Sequence, residues 1–473
     1  MHHHNSRWTL SAIALAVLSG CASYDLEQGL KQVNQQTRTF AGADVSLARS
    51  DQVRAEHRHV AQELLKQPLT QAGAVRLMLA NSPSFQALIA RQWAMAADSA
   101  QSGRISNPVF ALERVVTGAE TELTRILSFG LLDVLTLPAR ASVAEQRAKQ
   151  AQLQLAAGVV DQVTQVRQSW VDAVGAQQSL TYAKQIHEVA QAGAELAKRM
   201  EAAGNFNRLT RSRHQALQVE ARMALVLAQQ QALASREALV RLLGLDESQA
   251  QQLQLPDHLP DVPALPLSTE QVAKALSQER LDVQMAQAQW RAAAKAQGLK
   301  QVTSLTDVEL TYRRGSVNDG AGSVTHPRGY ELGVRLPLFD SGHLLREGMN
   351  ARTLQATAEL ETTLRAASSH VRESYGAYRA AYDITRHFMD EVLPLQQTMA
   401  DENLLRYNGM IIGVFELMDS ARLQMNAVKS AIEAQQQFWR ADAALQATLM
   451  GRPTGAVLSS AVSTSRSETA AGH

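Results

Sequence analysis

The sequence has little cysteine, few aromatic residues and almost no net charge, and these shortages exclude several classes of protein. Only one cysteine occurs among the 473 residues, which excludes a disulfide framework and a cysteine-based zinc site. The 46 basic side chains nearly balance the 45 acidic ones, whereas nucleic-acid-binding proteins normally carry a basic excess, so we predict no nucleic-acid partner. No apolar run reaches the ~18 residues of a helical membrane span, which argues against a helical membrane protein but not against membrane strands, whose residues alternate.

Catalytic motifs are missing as well. The chain contains no Gly-rich phosphate loop, no His-Glu-x-x-His and no Gly-x-Ser-x-Gly. His57 and His59 are two residues apart and would point to different faces of a helix, which disfavours a metal site. Met410, Met418 and Met425 could contact a soft ion such as Cu(I), although methionines are more common in cores and interfaces. We therefore predict no enzymatic activity, no catalytic residue and no metal.

The N-terminus has the features of a secretory signal. Arg7 precedes the short apolar segment 10–18, and small residues then lead to Cys21. This order resembles a bacterial lipoprotein signal, in which the cysteine is acylated and becomes the mature N-terminus. We predict lipid attachment at Cys21, with no other cofactor; the alternative is a buried free thiol after an ordinary signal peptide. Two or three acyl chains at ~0.8 kcal/mol per buried CH₂ would anchor the chain firmly. By the same resemblance, Ala22 favours the outer membrane.

Prolines divide the chain near its middle, and the two halves share a motif. The proline cluster consists of Pro256, Pro260, Pro263 and Pro266 and is typical of an extended linker. Residues 166–170 match residues 371–375 at the same offset that relates Gly204 to Gly409, which indicates an internal duplication. The predicted segments are a signal peptide 1–20, an N-terminal lipidated segment 21–68, a first repeat 69–244, a Pro-rich linker 245–266, a second repeat 267–451 and a disordered tail 452–473.

Two long stretches have the composition and spacing of helices. Residues 139–203 contain no proline, and their larger apolar side chains recur at steps of three and four, as they do over 360–382. This spacing is typical of a coiled-coil seam. Pro394 is expected to kink or break the second helix, because proline removes a backbone donor and clashes with the preceding turn.

Each long stretch ends at a glycine and is followed by another helical segment, at 209–243 and at 414–450. We therefore predict two antiparallel helical hairpins with tips at 204–207 and 408–410. The Gly and Asn residues of both tips suit the left-handed conformation that stops a helix.

Short alternating segments precede both long helices. Residues 308–312 and 330–336 alternate apolar with polar or charged side chains, on either side of a polar loop at 315–329. Segments 109–116 and 121–128 occupy the same place in the first half, with poorer alternation. We predict two β-hairpins that enter a membrane; the edge of a soluble sandwich is the alternative.

Four strands cannot close a membrane barrel alone, because single-chain barrels begin at about eight strands and lipid tolerates no open sheet edge. Two copies of the chain would supply about eight strands and a filled interior, whereas three would supply about twelve and begin to leave a lumen. Glu309, Arg313, Glu331 and Arg335 alternate with apolar residues and are predicted to face the lumen, which favours the larger barrel.

Three segments of the sequence resemble those of the TolC-like outer-membrane factors. They are residues 88–90 through 102–110 entering the first hairpin, 334–340 closing the second, and 406–409 followed by 414–419 around the second helical tip. The resemblance implies a mainly α fold with a small β part and a homotrimer, in which long helical hairpins form a helical barrel and four strands per chain build a shared twelve-stranded barrel. It implies an outer-membrane exit duct of a tripartite efflux or secretion system, whose periplasmic tips meet an adaptor protein and an inner-membrane pump.

The resemblance also assigns roles near the tips. Acids three residues apart after the second tip form a pore-constricting ring in such ducts, and Glu416 and Asp419 match that spacing and share one helix face. A solvated polar face is the alternative. Arg208, Arg211 and Arg213 follow the first tip and could pair with those acids or dock the adaptor. The predicted adaptor contacts are Gly204, Asn205, Arg208, Arg211, Gly409 and Met410.

Two functions of different classes remain open from the sequence. One is the passive export duct, and the other is a periplasmic coiled-coil lipoprotein that scaffolds the envelope without a pore. They differ in the strands, since the duct needs 308–314 and 330–336 to be embedded in a membrane and the scaffold does not.

Overall fold

The computed structural model describes residues 26–276, 280–304, 306–319 and 321–454. The predicted signal peptide 1–20, the predicted lipid site Cys21 and residues 455–473 of the predicted tail lie outside the described residues. In the part of the chain that is described, none of the helices combines the length and apolarity needed to span a membrane.

The described chain is mainly helical, as predicted, and contains one antiparallel sheet. The helices, in chain order, are α1 (Leu26–Ala41), α2 (Asp51–Leu65), α3 (Gln71–Asn81), α4 (Pro83–Ser102), α5 (Leu131–Leu135), α6 (Leu137–Ala202), α7 (Arg208–Leu243), α8 (Glu247–Gln252), α9 (Thr269–Leu276), α10 (Leu281–Thr303), α11 (His343–His387), α12 (Leu393–Asn408) and α13 (Val414–Leu449). The strands are β1 (Val109–Thr117), β2 (Glu120–Gly130), β3 (Val308–Asn318), β4 (Val324–Thr325) and β5 (Arg328–Val334).

These elements belong to two compact units. The described residues of the first, here called the sheet unit, fall within Met1–Gln36, Leu88–Ala156 and Leu281–Arg365. Those of the second, the helical unit, fall within Thr37–Ala87, Ala157–Arg280 and Ala366–His473. The sheet unit contains all five strands, and the helical unit contains both helical tips.

The strands of the sheet unit form two hairpins joined side by side. β1 pairs with β2, β2 with β3, and β3 with β5, in each case antiparallel. All four predicted strands are present, with ends within a few residues of those expected from the alternation. The predicted loop at 315–329 is wrong in part, because β3 continues to Asn318 and pairs there with β4.

The position of Gly315 explains why the alternating sequence pattern did not predict the last residues of β3. The Gly315 N–H donates to the Pro327 carbonyl at 2.7 Å, and a Cβ at this position would lie 2.9 Å from Pro327 Cγ. The strand therefore needs a residue without a side chain where the proline crosses it. In sequence, such a glycine is indistinguishable from the start of a loop.

Both helical hairpins of the helical unit form at the predicted places. α6 and α7 are joined at 203–207, and α12 and α13 at 409–413. Pro394 does interrupt the second long helix: a π-helical turn at Phe388–Val392 precedes it, and α12 then starts at Leu393. Because proline has no N–H to donate into the preceding turn, the helical hydrogen bonding is rearranged there.

The linker predicted at 245–266 is extended only in part. Residues Glu247–Gln252 form a short helix, because Asp246 accepts the Gln249 N–H while the Gln249 side chain bonds back to the Asp246 N–H. The remainder follows no regular structure and is fixed by side chains of α11 and α13. Gln435 and Trp439 both donate to the Pro260 carbonyl, at 2.7 and 3.0 Å.

Both halves of the chain use an aromatic donor in the same way. The buried Trp170 indole donates to the Leu69 carbonyl at 2.7 Å, and the Tyr375 hydroxyl donates to the Leu267 carbonyl at 3.0 Å. Trp170 and Tyr375 are the aligned residues of the repeated motif, and Leu69 and Leu267 each lie just before a short helix. This shared contact supports the duplication, which stays a prediction.

An acidic side chain, Asp442 of α13, is partly buried in the helical unit. Its carboxylate accepts from Gln446 at 2.6 Å, and Arg167 donates to the Gln446 side chain at 2.8 Å. Burial raises the pKa of Asp442 from 3.8 to about 6, although the positive charge of Arg167 opposes the shift. The ionised carboxylate is therefore less stable in the folded protein than in the unfolded chain.

We expect this group to make the fold less stable as the pH rises. Below about pH 4 the carboxyl is protonated in both states and does not affect the free energy of unfolding. Between about pH 4 and pH 6 it lowers that free energy increasingly, and above about pH 6 the loss levels off at no more than ~3 kcal/mol. Asp442→Asn keeps an oxygen to accept from Gln446 but removes the charge. Its midpoint of thermal unfolding should therefore depend less on pH between 4 and 7 than that of the unaltered protein. Asp383→Asn, which alters a surface carboxylate paired with Arg379, is the control. Equal pH dependence in all three proteins would contradict the assignment.

Candidate functional site

The strand register gives the sheet one face that carries acids and one that does not. Opposite residues in antiparallel strands lie on the same face, and Glu309 is opposite Gly333 while Thr311 is opposite Glu331. Arg313 lies on this face because it is an even number of residues from Glu309 in β3. Arg335 follows the end of β5 and lies on the same face, because its backbone pairs with Asp307. We call it the charged face. It carries all four residues that the sequence predicted for a lumen, although the lumen itself stays a prediction.

Basic and acidic side chains neutralise one another on the charged face. Arg313 contacts Glu331 at 2.6 Å, and Arg335 contacts Asp307 at 3.6 Å. All four of these side chains are about half exposed or more, so each pair is accessible to solvent and contributes ~0–1 kcal/mol. The charged face is therefore polar and hydrated, as the wall of an aqueous channel must be.

The opposite face of the sheet is apolar over most of its length, and we call it the apolar face. Its exposed apolar residues include Phe110, Leu112, Leu127, Tyr330, Leu332 and Val334. Tyr330 retains 79% of its exposure, and its ring lies 5.1 Å from that of Tyr312 on the neighbouring strand. A contiguous apolar surface of this kind marks an interface with lipid or with another protein.

Both edges of the sheet are also open. Among the described strands, none pairs with the outer side of β1 or of β5. The Arg335 N–H donates to the Asp307 carbonyl at 3.0 Å, and the Gly315 N–H donates to the Pro327 carbonyl at 2.7 Å. Pairs of odd-numbered residues in β3 and β5 are therefore the ones joined by hydrogen bonds. Because bonded and non-bonded pairs alternate, the backbone groups of Leu332 point to the free edge.

The tip of the first hairpin is closed by local contacts. Gly204 takes a left-handed φ of 81°, as predicted, and the Asn207 side chain caps α7 by accepting the Thr210 N–H at 2.8 Å. Arg211 contacts Glu201 across the turn at 2.9 Å. Arg208 and Arg213 are exposed beside it. Of the two roles suggested for Arg211, pairing with the acids of the second tip is not seen in the described chain.

The second tip differs from the sequence expectation. Gly409 was expected to supply the left-handed residue, but its φ is −80°, and Met410 takes that conformation instead, with a φ of 57°. The Met410 N–H donates to the Tyr407 carbonyl and the Ile411 N–H to the Arg406 carbonyl, both at 2.9 Å. The left-handed residue is thus one position later than the alignment of Gly409 with Gly204 indicates. Met410 is 94% exposed at the tip of the hairpin.

Alanine should destabilise the protein at Gly204 but not at Gly409, the two aligned tip glycines. Gly204→Ala forces a side chain into left-handed backbone and should cost roughly 1–2 kcal/mol of unfolding free energy. Gly409→Ala keeps an ordinary φ and meets no atom closer than 3.5 Å, so it should be neutral or stabilise by about 0.4–1 kcal/mol, because alanine restricts the unfolded chain. Thermal unfolding of the two variants side by side measures this, and equal destabilisation would contradict the turn geometry described here.

The predicted acidic pair lies in the first turns of α13. Glu416 and Asp419 are both exposed and three residues apart, so they share one face of the helix, as predicted. Asp419 is paired with Arg422 at 2.8 Å, whereas Glu416 has no ion pair within the described residues. The two acids are therefore electrostatically unequal, which the sequence did not indicate.

An aromatic contact positions α13 against the first hairpin. The Phe415 ring lies 4.8 Å from that of Phe206 and 4.2 Å from that of His214. Burial lowers the pKa of His214, and the nearby Asp419 carboxylate opposes part of that change. The sequence analysis missed this cluster, although the aromatic residue immediately before the first acid was a usable signal.

Two of the three methionines near the second tip, Met418 and Met425, line one cavity of the helical unit, which His214 and Asp419 also line. Within residues 26–276, 280–304, 306–319 and 321–454, no group of three or more His, Cys, Asp or Glu side chains is placed to hold a metal ion. Met418 instead packs against α6, where a Cβ at Gly193 would lie 3.2 Å from its sulfur.

Comparison with solved structures places this fold among outer-membrane channels. The outer membrane protein VceC of Vibrio cholerae matches with a TM-score of 0.64 and 18% identity, over 84% of this chain and 96% of that one. The outer membrane channel CmeC of Campylobacter jejuni matches with a TM-score of 0.66 and 12% identity, over 86% and 89%. The outer membrane channel MtrE of Neisseria gonorrhoeae matches with a TM-score of 0.64 and 17% identity, over 83% and 90%.

Comparison of the sequence with protein-family models and with curated proteins finds no match. The structural likeness extends over nearly the whole length of each of these proteins, and it confirms the mainly α fold with a small β part that the resemblance to the TolC-like outer-membrane factors implies.

Proposed function

We propose that the protein is the outer-membrane exit duct of a tripartite efflux or secretion system and acts as a homotrimer. The observation that carries the proposal is the two-faced sheet with two open edges. The apolar face is exposed in the single chain, while the charged face collects Glu309, Arg313, Glu331 and Arg335. A membrane channel needs this division, with lipid on one side and water on the other.

The open edges require more than one copy of the chain, and the need for a lumen sets the number at three. An unpaired edge is not tolerated in lipid, so the β1 edge of one chain must pair with the β5 edge of the next. Three chains with four long strands each would close a barrel of about twelve strands, wide enough to leave a lumen between charged faces. The short β4 lies at the hairpin turn and takes no part in closure.

The other parts of the proposal follow from the sequence signal and the tips. Lipid on Cys21 would anchor each chain in the outer membrane, with the helical hairpins in the periplasm. The exposed tip residues Asn205, Arg208 and Met410 would meet the adaptor protein, which connects the duct to an inner-membrane pump. Transport energy would come from that pump, and the duct would be a passive conduit without enzymatic activity.

The acidic pair would constrict the pore at the second tip. Glu416 and Asp419 repeated in three chains would place six carboxylates close together. A ring of carboxylates raises the local concentration of cations and favours their passage or their binding. The neighbouring Arg422 would moderate this field at Asp419.

Purification and reconstitution of the full chain test the proposal against the envelope scaffold. We expect chemical crosslinking in detergent to give trimers that dissociate on heating, and planar bilayers containing the protein to show single-channel currents. A Cys21→Ala variant, which lacks the lipid, should still form trimers in detergent, because the strands and not the lipid hold them together. A protein that stayed monomeric and water-soluble without its lipid would overturn the duct and support the scaffold.

A further inference from the structure

Arginines form a row across one end of the apolar face. The register places Arg125 of β2 opposite Arg314 of β3, and Arg314 opposite Arg328 of β5. Arg114 of β1 lies on the same face, two residues from Leu112, which is opposite Arg125. All four arginines are exposed. We call them the arginine row.

The arginine row has no acidic counterpart on its own face. The register assigns all the acids of β1, β2, β3 and β5 to the charged face, namely Glu113, Glu120, Glu122, Glu309 and Glu331. Over the described strands and loops, no ion pair or hydrogen bond joins an arginine of the row to an acid. On the charged face, by contrast, Arg313 is paired with Glu331 and Arg335 with Asp307.

Such a row is unfavourable unless water or an anion from outside the chain surrounds the charges. Side chains directly opposite in adjacent strands are ~4.5–5.5 Å apart at Cβ, and like charges there repel. Arginine cannot relieve the repulsion by losing its proton. Three adjacent guanidinium groups on an otherwise apolar face therefore require either bulk water or a bound anion.

The row lies at the depth where a membrane carries its phosphates. Towards the helices, the next row on the apolar face is aromatic, with Tyr312 opposite Tyr330 and in line with Leu127 and Phe110. Aromatic girdles of membrane barrels mark the boundary between hydrocarbon and headgroups. Arg125, Arg314 and Arg328 lie two residues, or ~7 Å, further towards the hairpin turns, and Arg114 lies two residues beyond them, which puts the arginine row at headgroup level.

The far end of the apolar face supports this placement. Beyond β5 the chain continues with exposed Leu336, Leu338 and Phe339, all apolar. From Arg328 to Val334 a strand tilted by ~40° rises about 15 Å along the membrane normal, and these residues extend the apolar band towards the ~25 Å of a barrel. The continuous apolar band thus ends at the arginines. Further towards the turns, the same face carries Leu123, Val116 and Val324 among the polar Thr121, Ser316 and Asn318.

We propose that the arginine row binds the phosphate groups of a phosphorylated lipid in the leaflet around the hairpin turns. The proposal rests on the proposed function, because the row meets lipid only if the apolar face is embedded in a membrane. Guanidinium groups bind phosphate through two parallel hydrogen bonds, and neighbouring arginines can share one phosphate or hold two on the same lipid. The bound phosphates would replace the acids that the face lacks, and three chains would make a ring of such sites.

Lipid binding to the full-length trimer tests the proposal. The unaltered protein in phosphatidylcholine nanodiscs is titrated with diphosphoryl lipid A, and bound lipid is counted by native mass spectrometry. R125Q/R314Q/R328Q should raise the dissociation constant by about tenfold or more, since it removes the charge-assisted contacts. R91Q/R291Q/R372Q removes the same charge from exposed positions on helices and should change it less than about twofold.

Further arms separate the possible outcomes. The unaltered protein should bind lipid A without phosphates about tenfold more weakly than diphosphoryl lipid A, a comparison that holds even if the triple variant does not assemble. Inorganic phosphate should not displace the lipid; if it did, the site would be one for free phosphate and the proposal would be overturned. Equal lipid binding by the triple variant and the unaltered protein, with trimers and currents intact, would overturn this inference alone. Failure of the unaltered protein to insert and conduct would overturn the proposed function.

Discussion

Replacing Leu332 by proline should prevent trimer formation while leaving each chain folded. Leu332 lies in the edge strand β5, and its N–H points away from β3 towards the free edge. Proline removes that donor and places its ring where the neighbouring chain would pair. Edge strands tolerate proline within their own sheet, so the bonds between β3 and β5 should persist. The variant is therefore directed at the junction between chains.

We expect the loss of trimers to be nearly complete. Every junction of the closed ring would carry the defect, and a backbone group left without a partner in lipid costs several kcal/mol. The fraction of trimer in unheated detergent gels and after crosslinking measures the effect, together with the frequency of single-channel events in bilayers. Leu332→Ala removes the same apolar side chain but keeps the N–H, and it should still form trimers. A proline variant as trimeric as the alanine variant would argue against pairing at this edge.

The strands and helices were largely predictable because their signals are local. Alternation with charge on one side located β5, and the three-and-four spacing located α6. The Gly315 approach to Pro327 and the shift of the second turn to Met410 were not predictable, since each depends on a contact that a single residue type does not reveal. Likewise, the carbonyl of Pro260 fixes the linker only because helix packing brings Gln435 and Trp439 to it.

In the candidate sites too, only the features that depend on local spacing were predictable from the sequence. Parity along one strand was enough to place Glu309 and Arg313 on a common face, and helical spacing was enough for Glu416 and Asp419. The arginine row was not predictable, because it requires the register between β2 and β3, which are far apart in the chain. Long-range register depends on how the two hairpins dock, and no local pattern encodes it.

Removal of both tip acids should open the pore to larger currents. We expect the double variant Glu416→Ala and Asp419→Ala to raise single-channel conductance in planar bilayers and to weaken block by divalent cations. In the proposed trimer, six carboxylates at a threefold constriction would attract divalent ions strongly enough to hold them there, so removing the charge would remove the block. Alanines also occupy less space than the carboxylate side chains. A control that removes two exposed acids from the other helix of the hairpin, Asp401→Ala with Glu402→Ala, should leave both measurements unchanged.

The unequal partners of the two acids allow a sharper test of the same mechanism. Asp419 is paired with Arg422, which would partly neutralise its field at the proposed constriction, whereas Glu416 has no ion pair in the described part of the chain. Glu416→Ala alone should therefore weaken divalent block more than Asp419→Ala alone. Arg422→Ala should act in the opposite direction, because it frees the Asp419 charge and strengthens the block. If the substitutions acted only by widening the tip, all three variants would show weaker divalent block. A decrease in block with Arg422→Ala would therefore count against an electrostatic gate.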